Sequence, residues 1–166
     1  MQKFRSGMKM RLDLGCGSAK QPGFIGMDIR KVKGVDIVHN AEKFPYPLPD
    51  NCCFQIVMSH LWEHIKPHLR IDLMNELWRI MEPDGQLFIA SPYYQSQGAF
   101  QDPTHYGCPT ENTFLYFCPA FEGLYKIYEP KPWKIVKNDY QAGYLGAVNV
   151  VLNAIKETPK KKGGKK

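Results

Sequence analysis

The sequence predicts a single α/β domain built on a doubly wound, mostly parallel sheet, and three observations carry that prediction. Short apolar runs alternate along the chain with helical or loop segments, the pattern that builds a covered parallel sheet. An apolar strand runs straight into a Gly-x-Gly turn at Gly15-Cys16-Gly17. The 166 residues, 43% hydrophobic and 23% charged, have the makeup of one globular domain. At this size a folded chain buries about 70% of the surface its unfolded form exposes, so the core needs neither disulfides nor a metal.

The elements follow in order. Residues 10–14, MRLDL, read as the first strand, residues 24–28 as the second and residues 35–38 as the third. Residues 44–49 hold Pro45, Pro47 and Pro49 and must be loop. The fourth strand is residues 54–59. Pro67 stands where a first helical turn tolerates it, and Leu69, Leu73, Leu77, Ile80 and Met81 recur along one helical face. That helix ends before a turn at Pro83-Asp84-Gly85, and residues 86–90 form a fifth strand joined to the fourth by a right-handed crossover. A polar stretch to Pro109 precedes a short helix capped by Thr110 with Glu111 in its first turn. Residues 124–128 and 148–152 read as closing strands, giving about seven with the last antiparallel.

Charge is unevenly spread. From Lys156 to Lys166 six lysines face one acid, so five of the six net positive charges sit in that segment and residues 1–155 carry +1. The domain is therefore expected over 1–155, with 156–166 a solvated, disordered basic tail that can act as a weak polyanion tether. The chain has no run of about 18 apolar residues, so a membrane-spanning helix is not expected, and the first residues contain no apolar stretch of signal-peptide length. A cytoplasmic location is expected, and the five irregularly spaced cysteines suit a reduced compartment as buried free thiols.

The chemistry gathers at strand ends. Two glycines after the first strand let the backbone turn tightly and a ligand come close. Eleven residues beyond Gly17, Asp28 closes the second strand, where a carboxylate can take both hydroxyls of a ribose. Beyond the third strand, Asn40 can read the hydrogen-bonding edge of an adenine, with the Ala41 amide beside it. The alternative, a glycine turn beside an ordinary surface aspartate, explains each feature singly but not their order.

These residues resemble class I S-adenosylmethionine-dependent methyltransferases of the small-molecule, type 11-like branch. The resemblance rests on LDLGCG (12–17), GFIGMDI (23–29), the segment 40–65 with its Asn-Ala-Glu, Pro-rich loop and Glu-His pair, and WRIMEPDGQLFIASP (78–92). Asn40 and Gln55 stand where acids are commoner in that branch. The resemblance implies the Rossmann-like methyltransferase fold and S-adenosyl-L-methionine as cofactor. It implies cofactor contacts from Asp13, Gly15, Cys16, Gly17, Asp28, Ile29, Asn40 and Ala41, with Ser59 and His60 flanking the methyl end. One departure is geometric. Only nine residues, Gly15 to Gly23, join the first two strands, short of the dozen or so a parallel crossover takes. The first helix is expected to shrink to one turn around Ser18-Ala19-Lys20. Lys20 replaces the third glycine of the dinucleotide fingerprint, which argues against a nicotinamide or flavin enzyme and brings a positive charge near the cofactor site.

Methyl transfer from a sulfonium is an in-line displacement, so alignment and exclusion of water supply most of the acceleration. A base is required only where the acceptor must lose a proton. His60, at the end of the fourth strand, is the first candidate, set against a packed or cofactor-contacting histidine. His105, in Asp102-Pro103-Thr104-His105, is the second, set against a plain turn. Glu63 and His64 are read as holding the loop after the fourth strand, and Tyr93 and Tyr94 as walling the acceptor pocket or covering the sheet edge. His60, His64 and His68 repeat every four residues, but Pro67 interrupts the helix and the order is not His-Glu-x-x-His, so no metal site is expected.

The near-neutral body points to a small-molecule acceptor bound by residues 91–123, in a monomer or a homodimer. Two other readings stay open: a nucleic-acid methyltransferase tethered by the Lys-rich tail, and a catalytically degenerate methyltransferase fold serving as a binding or scaffold protein.

Overall fold

The protein is described here by a computed structural model over residues 7–157. In chain order its strands are β1 (Met10–Leu14), β2 (Ile25–Asp28), β3 (Ile37–Val38), β4 (Cys53–Ser59), β5 (Met81–Pro92), β6 (Trp133–Gln141) and β7 (Ala147–Ala154). The helices are α1 (Arg70–Ile80), α2 (Gln97–Phe100) and α3 (Glu122–Tyr125), with 3-10 turns at Trp62–His64, Pro67–Leu69 and Thr113–Phe117. The strands form one sheet in the order β3-β2-β1-β4-β5-β7-β6. The first five pair in parallel, while β7 runs antiparallel to both β5 and β6. From β1 the chain winds outward to β2 and β3, then returns to β4 on the other side of β1. The winding reverses between β1 and β4, and ligands of such sheets sit outside the carboxyl ends of the strands at that reversal.

Side chains alternate between faces along a strand. Leu12, Leu14, Ile56, Met58, Leu87, Ile89, Val150 and Leu152 occupy one face and are essentially buried. Helix α1 supplies part of that core with Leu73, Met74, Leu77 and Ile80, all fully buried. Each such side chain contributes about 1.5–3 kcal/mol relative to leaving it in water. On the opposite face Gln55, Val57, Phe88, Ala90, Asn149 and Val151 stay partly exposed. The cause is chain length, because no helix forms between β1 and β2 or between β2 and β3 to cover them.

The single helical turn expected around Ser18-Ala19-Lys20 is absent. The Ala19 amide donates to the Cys16 carbonyl at 3.2 Å and the Phe24 amide to the Gln21 carbonyl at 3.2 Å, which closes the link with two turns. Lys20 pairs with Asp36 at 2.7 Å, so its charge is engaged at the β2–β3 loop.

Three further expectations need correction. The Pro83-Asp84-Gly85 turn exists as a bulge inside β5: Met81 pairs with Cys53, Gln86 with Gln55, and Asp84 adopts φ +57° between them. The short helix is a 3-10 turn that starts at Thr113; Thr110 sits one turn earlier, its hydroxyl accepting from the Asn112 amide at 3.2 Å. Residues 124–128 are not a strand. They end α3 and the turn after it, and the edge strand is β6, whose Lys134, Lys137 and Asp139 hide it from a search for apolar alternation.

The Pro-rich loop is fixed to α1 by a buried acid. Glu76 accepts from the Tyr46 amide at 2.7 Å and from Arg79, and Arg79 reaches Asp50 at 2.5 Å and the Leu48 carbonyl at 3.0 Å. The five cysteines are free thiols, with Cys108 half-buried and the others buried. Lys156, grouped with the basic tail in the sequence, is docked on the domain. It lies 4.0 Å from the centre of the Trp78 ring and donates to Asn51 Oδ1 at 2.7 Å and to the Met81 carbonyl at 2.6 Å. Residues 158–166 of that tail lie outside the described residues. Among the described residues no helix is long and apolar enough to cross a membrane.

Candidate active site

Two neighbouring cavities open at the carboxyl edge of the sheet, and His64 lines both. The smaller, about 220 Å³, has Gly15, Asp28, Ile29, Asn40 and Ala41 on one side and Leu61, His64 and Ile65 on the other. β1 enters it through Gly15 at φ +75° and Gly17 at φ +51°, a left-handed backbone that side chains disfavour. A Cβ on Gly15 would stand 3.0 Å from Leu61, and one on Gly17 would stand 2.9 Å from the Arg30 guanidinium. Gly15 thus keeps the cavity side of the turn free of a side chain that would crowd Leu61, while Gly17 lets the turn take its left-handed backbone.

Asp28 is buried at the cavity wall. Its Oδ2 accepts from the Gly17 amide at 2.8 Å, and its Oδ1 from the Arg30 amide at 2.9 Å and Arg30 Nε at 3.2 Å. Burial alone would raise this carboxyl, but the amide bonds from Arg30 and Gly17 outweigh it and hold it below its ordinary value. A carboxylate offers about four acceptor positions. One remains free, and a second is held only by the exposed Arg30 side chain, which a ligand hydroxyl could replace to make a pair suited to a vicinal diol. Asn40 Oδ1 accepts from the Glu42 amide at 2.8 Å, leaving the other end of its amide for a ligand. Ile29, 62% exposed, gives the mouth an apolar lip.

Asp13, Cys16, Gly17 and Ser59 line neither cavity. Asp13 braces the turn from behind, accepting from the Gln21 amide at 2.7 Å, and burial pushes its carboxyl up. Cys16 is a packed thiol raised to about 11 by burial and by the charges of Asp13 and Asp28.

The larger cavity, about 490 Å³, collects the titratable groups. His60 sits at φ +53° just past β4, held by its amide to the Ala90 carbonyl at 2.8 Å. Its ring Nδ1 lies 3.3 Å from Glu63 Oε1; the histidine side chain is 67% exposed and the glutamate 1%. Ser91 donates to the other Glu63 oxygen at 2.9 Å. Burial acts to raise Glu63, but hydrogen bonds from His60, its own backbone and Ser91 outweigh it and hold the carboxyl below its ordinary value. His60 is correspondingly raised, chiefly by its hydrogen bond to Glu63. His64 and His105 meet edge to face with ring centres 4.7 Å apart. His60 and His105, the two candidate bases, thus share one cavity with Glu63 and Asp102.

The far wall comes from Tyr144, Leu145 and Gly146 in the β6–β7 connection and Ala147 at the start of β7, a segment to which sequence reasoning assigned no role. The available signal was the pair of glycines, Gly143 and Gly146, bracketing two large exposed side chains. Tyr93 is a sheet-edge cover, not a pocket wall: it stacks on Tyr140 and its hydroxyl donates to Glu111 at 3.0 Å.

No family model matches the chain, and no curated protein matches it in sequence. Solved structures do match. An Archaeoglobus fulgidus SAM-dependent methyltransferase superimposes with a TM-score of 0.61 at 18% identity, over 89% of this chain and 86% of that one. The chain has the fold of the SAM-dependent methyltransferases. A Methanosarcina mazei SAM-dependent methyltransferase aligns over 95% of both chains, TM-score 0.61 at 15% identity. The N-methyltransferase NodS of Bradyrhizobium japonicum, in complex with S-adenosyl-L-homocysteine, aligns over 89% of this chain and 79% of its own, TM-score 0.59 at 10% identity. The methyltransferase fold accounts for the strand order and the antiparallel β7.

Proposed function

We propose that the chain is an S-adenosylmethionine-dependent methyltransferase acting on a small-molecule acceptor. The observation that carries this reading is Asp28, an ionised carboxylate on the wall of a cavity that begins at the glycine turn and runs beside Asn40 and Ala41. In this reading the adenosine spans the tips of β1, β2 and β3. Asp28 takes the ribose hydroxyls, Asn40 and Ala41 face the adenine, Gly15 admits the amino-acid part, and Ile29 covers the sugar. Asp13, Cys16 and Gly17 shape the turn from behind. His60, just past the end of β4, faces the larger cavity on the side where the sulfonium would stand.

The acceptor then occupies the larger cavity. His60 is the base for an acceptor that must lose a proton, with Glu63 balancing the imidazolium as it forms. Placement of the methyl carbon in line with the acceptor atom does the rest of the work. The small-molecule assignment rests on the size of the cavity and on the near-neutral body of the chain.

The test is a turnover screen with methyl-labelled S-adenosylmethionine against amine, hydroxyl, thiol and carboxylate acceptors. Label transfer to one class, lost in His60→Ala, supports the reading. A protein that binds the cofactor but transfers label only to RNA or DNA contradicts the small-molecule assignment.

A further inference from the structure

Within the larger cavity, one ligand-capable atom from each of Glu63, His64 and His105 lies within 4.8 Å of the others. Proximity alone is common among polar groups, but the hydrogen bonds around these rings fix how each histidine carries its proton. His105 Nδ1 stands 3.3 Å from the Ala99 carbonyl, which can only accept, so Nδ1 bears the hydrogen. His64 Nδ1 stands 3.0 Å from Thr104 Oγ1. That hydroxyl is already donating to Asp102 Oδ1 at 2.7 Å, so it accepts from His64, and here too Nδ1 bears the hydrogen. Both rings are thereby held with the lone pair on Nε2, which has no hydrogen-bond partner among the described residues. Metal-binding histidines are oriented in this way, the far nitrogen donating to a carbonyl or to a carboxylate relay.

The third member fits the same description. Glu63 is an almost fully buried carboxylate whose two oxygens accept from His60 and Ser91, leaving acceptor positions on each. Nitrogen and oxygen ligands held about 2.0–2.2 Å from a metal stand about 3–3.5 Å apart, so loading requires these atoms, now within 4.8 Å of one another, to close by up to about 1–2 Å through side-chain rotation.

We propose that Glu63, His64 and His105 form a binding site for a divalent transition metal ion on the wall of the larger cavity. Two imidazoles and one carboxylate are the ligand set of open catalytic zinc sites and of facial-triad sites, which keep coordination positions for another molecule. Those positions face a space that also holds Asp102 and His60, so an acceptor with an oxygen or sulfur donor can bind there through the ion. That last step rests on the methyltransferase reading; the metal site itself does not. His105 thereby becomes a ligand, and His60 is left as the base.

The experiment titrates the full chain with zinc chloride by calorimetry and records the absorption of the cobalt(II) form. One ion per chain is expected, with cobalt bands of nitrogen–oxygen ligation and no thiolate charge transfer. His64→Gln and His105→Gln should each abolish stoichiometric binding, and Thr104→Val should weaken it about 10- to 100-fold by releasing the His64 ring. His68→Gln, on the other side of Pro67, should leave it intact. Absence of stoichiometric zinc uptake by the wild type overturns the site. So does binding that survives both glutamine substitutions, or cobalt bands of thiolate character. A parallel S-adenosylmethionine titration separates the two proposals: cofactor binding without zinc binding sinks only the metal site, and zinc binding without cofactor binding sinks only the methyltransferase reading.

Discussion

The two cavities at the carboxyl edge of the sheet are built by opposite means. The smaller is made of backbone: left-handed glycines, amides from Gly17 and Arg30 on one carboxylate, and short strands adjacent in sequence. The larger is made of side chains brought from afar. Ser91 reaches Glu63 across 28 residues and Thr104 reaches His64 across 40. The first region is therefore preorganised around an ionised carboxylate, whereas the second depends on tertiary packing and carries the His60–Glu63 pair.

Four experiments break or sharpen this contrast. The largest effect is expected for His60→Ala, which should lower turnover about 10²- to 10⁴-fold where the acceptor must be deprotonated, with cofactor affinity little changed. A steady-state assay with a separate cofactor titration checks it. The pH profile sharpens the same point. A base must be neutral to accept a proton, and Glu63 raises His60 above its ordinary value of 6.5, so the rising limb should lie above that pH. Glu63→Gln should move the limb to lower pH; an unmoved limb would show that another group titrates.

In the smaller cavity, Asp28→Ala should cost about 1–3 kcal/mol of cofactor affinity, as for other hydrogen bonds to a charged group. Because Asp28 stays below its ordinary value, the share of the affinity that Asp28 supplies should be flat from neutral pH down to the carboxylate range. Gly15→Ala and Gly143→Ala then separate strain from site. Both place a side chain at positive φ, and only Gly15 faces an obstacle, Leu61 at 3.0 Å. Each should lose about 1–2 kcal/mol of stability in denaturant, and only Gly15→Ala should also weaken the cofactor.

The same contrast explains what the sequence made legible. Gly15, Gly17 and Asp28 could be read because a strand, a tight turn and a second strand are local patterns. The β6 strand escaped because edge strands carry charge in place of apolar alternation. Residues 124–128 misled because Leu124 and Ile127 flank tyrosines that read as a strand but end a short helix. The histidine cluster was illegible for another reason. The spacing of His60, His64 and His68 drew attention along one helix, whereas the partner of His64 is His105, 41 positions away in sequence and beside it in space. Lys156 belonged to the domain because a Trp78 ring and the Met81 carbonyl, both distant in sequence, receive it. The effect on the two cavities should be smallest there: Lys156→Ala should destabilise the fold by about 1–2 kcal/mol, a melting shift of about 2–8 °C, without touching either cavity.

Calorimetric titration of the wild-type chain and Asp28→Ala with S-adenosylmethionine bears most directly on all of this. A single site per chain is expected, weakened at least about fivefold by the substitution. No heat of binding to the wild type, or equal affinity in both proteins, would mean that the β1–β3 edge does not hold the nucleoside.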